Sequence, residues 1–216
     1  MRRLLLALLI GGAGPALAER QVAWGPAMST GLPVPAVLGF DLRLGRHLGF
    51  GMAGGRFQGR VPIPDGESLG YRLQTMEIET RWFPLQGGLY AETGVGRQQV
   101  VVAGERLTTL RQDDVELDFA FAARMELVSW YVAPRLGYIW HEGRRLHIAS
   151  SLGLQIPFHS EATFSARFSD DPFLDESFKS TNSYRNLQQD LLDAGRKAGL
   201  LGLPSLRLIK LSWWFP

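Results

Sequence analysis

The sequence predicts an all-β fold: an antiparallel transmembrane β-barrel of about eight strands, with one short helix before the last strand. The first observation is the stretch VELDFAFAARMEL, residues 115–127, in which apolar and polar side chains alternate. A period of two is that of a strand with two unlike faces, and a tilted strand needs about 9–11 residues to cross a bilayer. The second observation is that this alternation recurs along the chain. The third is an export signal at its start.

Residues 1–18, MRRLLLALLIGGAGPALA, have the layout of a secretory signal peptide. Arg2 and Arg3 precede an apolar run from Leu4 to Ile10, and small residues lead to Ala18. The alternative is a buried N-terminal helix, but the glycines and the proline between residues 11 and 15 would end it early. We therefore predict cleavage after Ala18 and a single barrel domain over residues 19–216.

The charge and composition of the chain exclude several classes of partner and site. Removing Arg2 and Arg3 with the signal leaves 21 of the 23 Lys and Arg residues, which equals the 21 Asp and Glu residues. This balance gives no indication of a nucleic-acid partner. The absence of cysteine excludes disulfides and thiolate metal sites. Beyond the signal, no run of about 18 apolar residues predicts a transmembrane helix, and we expect a monomer.

Eight segments carry the alternation, and we expect hairpins to join them as antiparallel neighbours. Turn sequences separate several of them, among them the tight Gly45-Arg46 turn and the PLQGG turn at residues 84–88. The predicted strands cover residues 37–44, 48–53, 71–83, 89–102, 115–127, 129–140, 145–158 and 203–215.

Alternation alone does not show which face meets water, so a soluble, lipocalin-like barrel is the alternative. A solvated face uses lysine freely, but the chain holds only Lys179, Lys197 and Lys210. The polar strand positions instead carry arginines and carboxylates spaced by small residues, which suits a narrow interior filled by bidentate ion pairs. We predict that the apolar faces contact lipid and that a structural ion-pair network fills the lumen. Its predicted members are Asp41, Arg43, Glu77, Glu79, Arg81, Glu92, Glu116, Asp118, Arg124, Glu126, Arg135 and Arg207.

Aromatic residues lie near the predicted strand ends, where membrane barrels carry aromatic girdles. In a soluble barrel the same residues would pack the core. Together with export and strand length, they favour the membrane barrel. The predicted girdle consists of Trp82, Trp130, Tyr138, Trp140, Trp213 and Trp214.

The chain resembles the small outer-membrane β-barrel proteins of Gram-negative bacteria, the OmpA-, OmpX- and OmpW-like group. The resemblance rests on the export signal, the long amphipathic strands and the final strand ending LSWWF at residues 211–215. It implies location in the bacterial outer membrane, contact with outer-membrane lipid, and the barrel-assembly machinery as a partner during biogenesis. Phe215 would supply the terminal aromatic of the assembly signal, although Pro216 departs from the usual ending. No peptidoglycan-binding domain is expected.

A long connection, residues 159–202, precedes the last predicted strand. Its first part has a mixed pattern that can extend the seventh strand or form a short hairpin. Its second part predicts a helix at about residues 183–199, capped by Asn182 or Ser183 and ended by glycines and Pro204. The predicted packing face of this helix carries Leu187, Leu191, Ala194 and Ala198.

The side of the membrane on which this helix lies depends on the strand count. Eight strands with both termini in the periplasm put the helix outside the cell. They also put the tight Gly45-Arg46 turn outside and the VPIPDGESLG loop, residues 61–70, inside, against the rule that periplasmic turns are short. A further strand at residues 21–28 and another at EATFSARF, residues 161–168, give ten strands, which is the alternative.

Candidate catalytic groups are few. His147 with Ser150 or Ser151, or His141 with Glu142, would suit a lipid-modifying enzyme. His147 and Ser151 are about 13 Å apart by strand rise, however, and Ser150 points to the other face. We predict no catalytic residue.

Metal and cofactor sites are not predicted either. The histidines lack partner ligands at a recognisable spacing. Glu77 with Glu79, and Glu116 with Asp118, are each two positions apart on one face, about 6.5–7 Å. We interpret these pairs as structural, because arginines are available across the barrel.

The predicted function is that of an outer-membrane scaffold, structural or adhesive, with a filled and charged lumen. Its loops, particularly residues 61–70 and 159–202, would meet partners or the cell envelope. A narrow channel for small solutes is the alternative, favoured by ten strands because eight leave space only for side chains. The second alternative is a lipid-modifying enzyme of the outer membrane.

Overall fold

The computed structural model describes residues 22–62, 68–85, 88–112, 115–142, 145–169 and 171–215. Within these ranges, the side chains of residues 106–121 and 142 are outside the description. The predicted signal peptide, residues 1–18, also lies outside it.

Eight antiparallel strands form a closed barrel in chain order, which confirms the predicted fold class. The ring is closed by β1 against β8, in a register that runs from Ala27↔Ser212 to Leu32↔Leu206. The strands are β1 (Val22–Leu32), β2 (Val37–Leu44), β3 (Leu48–Pro62), β4 (Ser68–Trp82), β5 (Leu89–Gln112), β6 (Val115–Glu142), β7 (Leu146–Arg167) and β8 (Leu203–Trp213).

The predicted number of strands is right, but their division along the chain is not. β1 is the additional strand that the ten-strand alternative placed at residues 21–28. The segments 115–127 and 129–140, predicted as two strands, form the single strand β6, which pairs with β5 without interruption from Val115 to Tyr138. EATFSARF extends β7 to Arg167 rather than forming a strand of its own. The ten-strand alternative is therefore wrong.

This division removes the conflict over loop lengths. The tight turn at Gly45, whose φ of 64° suits glycine, joins β2 to β3. It lies at the same end of the barrel as the β4–β5 and β6–β7 connections, which we call the short-turn end. The opposite, long-strand end carries the tips of the 24-residue β5 and the 28-residue β6, and the helices. The parts of the chain that project furthest, the ends of the long strands and the helices, thus share one end, as the longer extracellular connections do in known membrane barrels.

Towards the short-turn end, the barrel is apolar outside and polar inside. The outer face exposes Ile78 by 69 %, Leu136 by 67 % and Trp140 by 70 % of their surface, whereas Glu79 and Arg135 are buried inside. This is the inverse of a soluble protein, and it places the hydrophobic side chains where lipid tails would contact them.

Beyond the row of partners Met76, Arg97 and Trp130, the polarity of the described side chains of β3–β7 reverses. We call this part the strand extension: residues 56–62, 68–74, 98–112, 115–129 and 160–167. On its inner face, one row of register partners joins Phe57, Leu73, Val100, Leu127 and Ala162. On its outer face, the adjacent row joins Gln58, Arg72, Val101, Glu126 and Thr163.

Two helices connect β7 to β8: α1 (Pro172–Ser180) and α2 (Asn182–Gly199). Only α2 corresponds to a predicted helix, and its cap is Thr181, whose Oγ1 accepts a hydrogen bond from the Tyr184 amide at 3.3 Å. The sequence signal for α1 is Asp171 followed by Pro172, an N-cap and a first-turn proline. Among the described residues, no helix is long and apolar enough to span a membrane.

The α2 helix packs against the inner face of the strand extension. Gly195 is its buried residue, and a Cβ there would lie 2.9 Å from Leu127 Cδ2 and 3.1 Å from Ala162 Cβ. Ser129 Oγ donates a hydrogen bond to the Gly199 carbonyl at 3.0 Å. The glycines allow this close approach, because they leave no side chain between the helix and the strands.

The predicted packing face of α2 is therefore wrong. Leu187, Ala194 and Ala198 are exposed, and the face that meets the strands runs through Gly195 and Gly199. An apolar pattern located the helix, but small residues decide which face packs.

The α1 helix is tied to the end of β7 by Asp175. Its Oδ1 accepts from the Phe168 amide at 2.8 Å, and its Oδ2 accepts from Lys179 Nζ at 2.6 Å. The hydrogen bond from Lys179, followed by that from Phe168, lowers the pKa of Asp175 below its ordinary value.

Candidate functional site

Four carboxylates and four cationic side chains meet in the centre of the barrel. We call this group the lumen network. They come from β2, β4, β5, β6 and β8, where alternation along each strand directs them inward. None is more than 8 % exposed. The carboxylates are Asp41, Glu77, Glu79 and Glu92, and the cations are Arg81, Arg135, Arg207 and Lys210.

The half of the network nearer the short-turn end is organised around Arg81. Its Nη2 lies 2.8 Å from Asp41 Oδ1 and 2.5 Å from Glu79 Oε2, and its Nε lies 2.7 Å from Glu92 Oε2. Lys210 Nζ adds contacts to Asp41 at 3.0 Å and to Glu79 at 3.3 Å. One guanidinium thus joins carboxylates from three strands.

The other half is organised around Arg135 and Arg207. Both Nη1 atoms lie 2.8 Å from Glu92 Oε1. Arg135 Nη2 donates to Glu77 Oε2 at 2.6 Å, and Arg207 Nη2 lies 3.1 Å from Glu77 Oε1. Arg207 also pairs with Glu79, which connects the two halves.

Neutral side chains complete the hydrogen bonding of the charged groups. Ser212 Oγ donates to Asp41 Oδ2 at 2.7 Å, and Tyr131 Oη donates to Glu77 Oε2 at 3.0 Å. Arg135 Nε donates to Ser205 Oγ at 2.6 Å. A buried charge is tolerated when it is paired and its remaining hydrogen-bonding capacity is used, and this network meets both conditions.

Glycines in the surrounding strands provide the space for these side chains. A Cβ at Gly51 would lie 2.8 Å from Asp41 Oδ1 and 3.0 Å from Arg81 Nη2. A Cβ at Gly96 would lie 2.5 Å from the ring of Tyr131. The lumen is therefore filled by a few long side chains that need small neighbours.

Two small cavities flank the network. A cavity of about 20 Å³ lies towards the short-turn end, beside Phe83 and Trp214, and another of about 40 Å³ lies beside Thr75 and Gln155. A cavity needs about 10–15 Å³ to hold one water molecule. The cavities have room for a few waters, and the lumen network lies between them.

Seven predicted lumen residues lie in this network: Asp41, Glu77, Glu79, Arg81, Glu92, Arg135 and Arg207. Arg43 lies at the short-turn end of the lumen, with its guanidinium 4.9 Å from the centre of the Phe83 ring. The side chains of Glu116 and Asp118 lie outside the described residues.

Arg124 and Glu126 do not face the lumen, contrary to prediction. They pair with each other at 3.4 Å on the outer face of the strand extension, and Glu126 also accepts from Gln99 at 2.5 Å. Met125 and Leu127, predicted to face lipid, point inward towards α2. Apolar and polar residues alternate as predicted, but in the strand extension the polar face is the outer one.

The sequence reading missed Lys210 as a member of the network. Regular alternation from Arg207 would point Ile209 inward, but an irregularity in the pairing of β8 with β1 and β7 turns Lys210 inward instead. The adjacent Leu208 and Ile209, both exposed to the outside, are the sequence signal of this bulge.

The aromatic girdle differs from prediction at one residue. Trp82, Tyr138, Trp140 and Trp213 are exposed on the outer face near the short-turn end, and Trp130 is exposed nearer the long-strand end. Trp214 is 6 % exposed and points inward, with its ring 5.2 Å from that of His147.

The two candidate catalytic serines point to opposite faces of β7. Ser150 Oγ accepts from Trp140 Nε1 at 2.8 Å on the outer face, and Ser151 is buried. The ring of His147 lies 5.2 Å from that of Trp214, and the side chain of Glu142, the predicted partner of His141, is outside the described residues. Among the described side chains, these contacts do not join a hydroxyl, an imidazole and a carboxylate.

Three lumen carboxylates are close enough to share a cation. Ligand atoms of Glu77, Glu79 and Glu92 lie within 4.8 Å of one another. Arginines already supply positive charge to all three, through Arg135, Arg207 and Arg81. The geometry is that of an ion-pair network and gives no position for a metal ion among these groups.

A closed antiparallel barrel with an apolar outer face and a charged interior is the architecture of small membrane β-barrels. No protein-family model and no curated protein matches the chain.

Among solved structures, the chain is similar to the Acinetobacter baumannii proteins CarO2 and CarO. Identity is 11 % in both cases, with TM-scores of 0.46 and 0.44. The similarity covers 90 % of this chain, and 100 % and 97 % of those chains. Membership of the OmpA-, OmpX- and OmpW-like group stays a prediction.

Proposed function

We propose that the protein is a closed outer-membrane anchor, a structural or interaction scaffold that holds the strand extension and its helices outside the membrane. The observation that carries this proposal is the lumen network. Four carboxylates and four cations, none more than 8 % exposed, occupy the interior of the eight-stranded ring, through which a solute path would have to run.

The height of the apolar outer face supports a membrane location. On β6, Trp140 and Trp130 are both exposed on this face. Their separation corresponds to about 34 Å along the strand and, at a tilt of about 40°, to about 26 Å along the membrane normal. The apolar band of outer-membrane barrels is about 25 Å tall.

The orientation follows from the two ends of the barrel. Outer-membrane barrels have short periplasmic turns and longer extracellular connections. The short-turn end would therefore face the periplasm, and the strand extension with α1 and α2 would face the outside. Both ends of the described chain, near Val22 and Phe215, lie at the periplasmic end in this orientation.

Outer-membrane lipid and the barrel-assembly machinery are the expected partners. Phe215 supports a part for the last residues in assembly. Its amide donates to the Trp24 carbonyl at 2.7 Å, and the Trp24 amide donates to its carbonyl at 3.0 Å. The terminal aromatic thus lies at the seam where the first and last strands meet.

Conductance in planar lipid bilayers tests the closed lumen. We expect the purified protein to give no steady current steps, because the lumen network separates the two small cavities. The charge-neutral double variant Glu92→Ser/Arg135→Ser should conduct, because it removes two large side chains at the centre of the network.

Heat-modifiable mobility in SDS gels should first show that both proteins are folded barrels. Steady single-channel steps from the unaltered protein would refute the closed anchor and favour the narrow channel.

A further inference from the structure

A cavity of about 500 Å³ lies on the strand extension, away from the lumen. Its charged lining residues are Arg60, Arg72 and Arg124, and Val101 and Ala103 line it between them. Val101 is only 8 % exposed although it belongs to the outer face. The cavity is thus a basic pocket with an apolar floor.

The strand register explains how the pocket forms. Arg60, Gly70, Ala103 and Arg124 are successive partners in one row across β3–β6. The two small residues in the middle leave a depression, and the arginines stand at its sides. Arg72 belongs to the neighbouring outer row, so the guanidiniums surround the depression from three strands.

The positive charge of the pocket is incompletely balanced. Arg124 pairs with Glu126 at 3.4 Å, and that carboxylate also accepts from Gln99. In the part of the chain that the structure describes, Arg60 and Arg72 have no carboxylate partner within 4 Å. An anion entering the pocket would therefore meet two guanidiniums with free donors.

The pocket lies at the level of lipid headgroups, provided that the proposed membrane location is right. Met76 on β4 and Trp130 on β6 lie in one register row, and both are exposed. This row marks the end of the apolar outer face. Arg72 is four positions beyond Met76 on β4. This corresponds to about 14 Å along the strand and about 10 Å along the membrane normal.

We infer that this pocket binds the phosphate-bearing headgroup of a glycolipid in the outer leaflet. The planar fork of arginine matches phosphate oxygens in a bidentate manner, and Arg60 and Arg72 line the pocket with donors that no described carboxylate occupies. The volume of the pocket is in the range of sites for small organic ligands, so a phosphorylated sugar fits better than a bare ion. The inference rests on the proposed outer-membrane location.

Binding of purified lipopolysaccharide to the full chain in neutral detergent micelles tests the inference. The site variant is Arg60→Gln/Arg72→Gln. The matched control is Arg185→Gln/Arg196→Gln, which removes the same charge from α2. We expect the site variant to bind about tenfold more weakly or worse, because charge-assisted hydrogen bonds are lost, and the control to bind as the unaltered protein does.

A second variant, Arg60→Lys/Arg72→Lys, keeps the charge but removes the bidentate forks, and we expect intermediate affinity. If the glutamine variant does not fold, the lysine variant still tests the inference. Gel mobility with and without boiling will show whether each variant is folded.

Three results would overturn the inference. The first is equal affinity of the site variant and the control variant. The second is equally tight binding of enzymatically dephosphorylated lipopolysaccharide, which would mean that sugar or acyl chains are recognised. The third is complete displacement of the lipid by inorganic phosphate, which would indicate a free-ion site.

A different experiment tests the proposed outer-membrane location. If the protein were absent from outer-membrane fractions and showed no heat-dependent mobility, the scaffold proposal would fall whatever the micelle measurement gave. A folded outer-membrane barrel whose variants bind equally would refute the phosphate pocket alone.

Discussion

At the scale of single residues, Arg81 shows most clearly what holds the barrel interior together. It contacts carboxylates from β2, from β4 and from β5, and it is 5 % exposed. A buried pair contributes little net stability relative to apolar packing, but removing one partner leaves the other charge buried and unpaired. The network is therefore sensitive to single substitutions.

We expect Arg81→Ala to lower the free energy of unfolding by about 3–5 kcal/mol, the usual range for breaking a buried ion pair. Urea titration of the refolded barrel in lipid vesicles, followed by tryptophan fluorescence, measures this change. The control is Arg46→Ala in the exposed β2–β3 turn, which should be neutral. Equal midpoints for the two variants would contradict the structural importance of the network.

Residue-level prediction from the sequence succeeded where alternation was regular. Glu79 and Arg207 could be assigned to the lumen from strand parity. Lys210 could not, because a bulge shifts the parity within β8 and regular alternation assumes that none is present. The exposed pair Leu208 and Ile209 is the local sign of this shift.

At the scale of elements, β6 carries two environments on one strand. Its pairing with β5 is uninterrupted from Val115 to Tyr138, and its described side chains alternate inward and outward from Ala122 onward. Leu127 and Tyr131 share the inner face, yet one packs against a helix and the other donates a hydrogen bond to Glu77. The sequence alone suggests two strands there. The polar residues change from outward-facing to inward-facing positions along β6, although its pairing with β5 is uninterrupted.

The packing of α2 on the strand extension depends on Gly195. We expect Gly195→Leu to separate α2 from the strands, because even a Cβ would lie 2.9 Å from Leu127 and a leucine side chain has no space. Limited proteolysis of the micelle-bound protein measures the effect as faster cleavage within residues 182–199. Barrel formation itself should persist, as judged by heat-dependent gel mobility.

The matched control for that substitution is Ala194→Leu, because Ala194 is exposed on the neighbouring face of the same helix. Unchanged protection of α2 in Gly195→Leu would mean that the helix is held elsewhere, for instance by the hydrogen bond from Ser129 to Gly199.

At the scale of the whole molecule, the sequence predicted the closed antiparallel ring and its charged interior. It did not predict that the barrel has two parts, one with an apolar outer face and the strand extension with a polar outer face. Alternation and the predicted export signal indicate a membrane barrel. They do not show at which residue of each strand the lipid-facing part would end, because that position depends on how far the strand extends beyond the membrane. Arg97 and Trp130 lie in one register row, so arginine and tryptophan occur at the same height on neighbouring strands.

A charge scan of the outer face should locate this boundary. Leu136→Arg places a charge in the apolar band and should lower the free energy of unfolding by about 2–4 kcal/mol near the membrane midplane. Gln99→Arg, on the outer face of the strand extension, should change it by less than about 1 kcal/mol. Unfolding titrations in lipid vesicles compare the two, and equal costs would contradict the assigned membrane position.

The unequal strand lengths have a consequence for how the protein meets its surroundings. β6 continues from Trp130 to Val115, where it pairs with Gln112 at the tip of β5. At the tilt of the barrel, this part of the strand spans about 51 Å and rises about 39 Å along the membrane normal. In the proposed orientation, an approaching cell or large molecule would touch the tip of this hairpin long before it came near the bilayer, and the hairpin would set the distance of first contact.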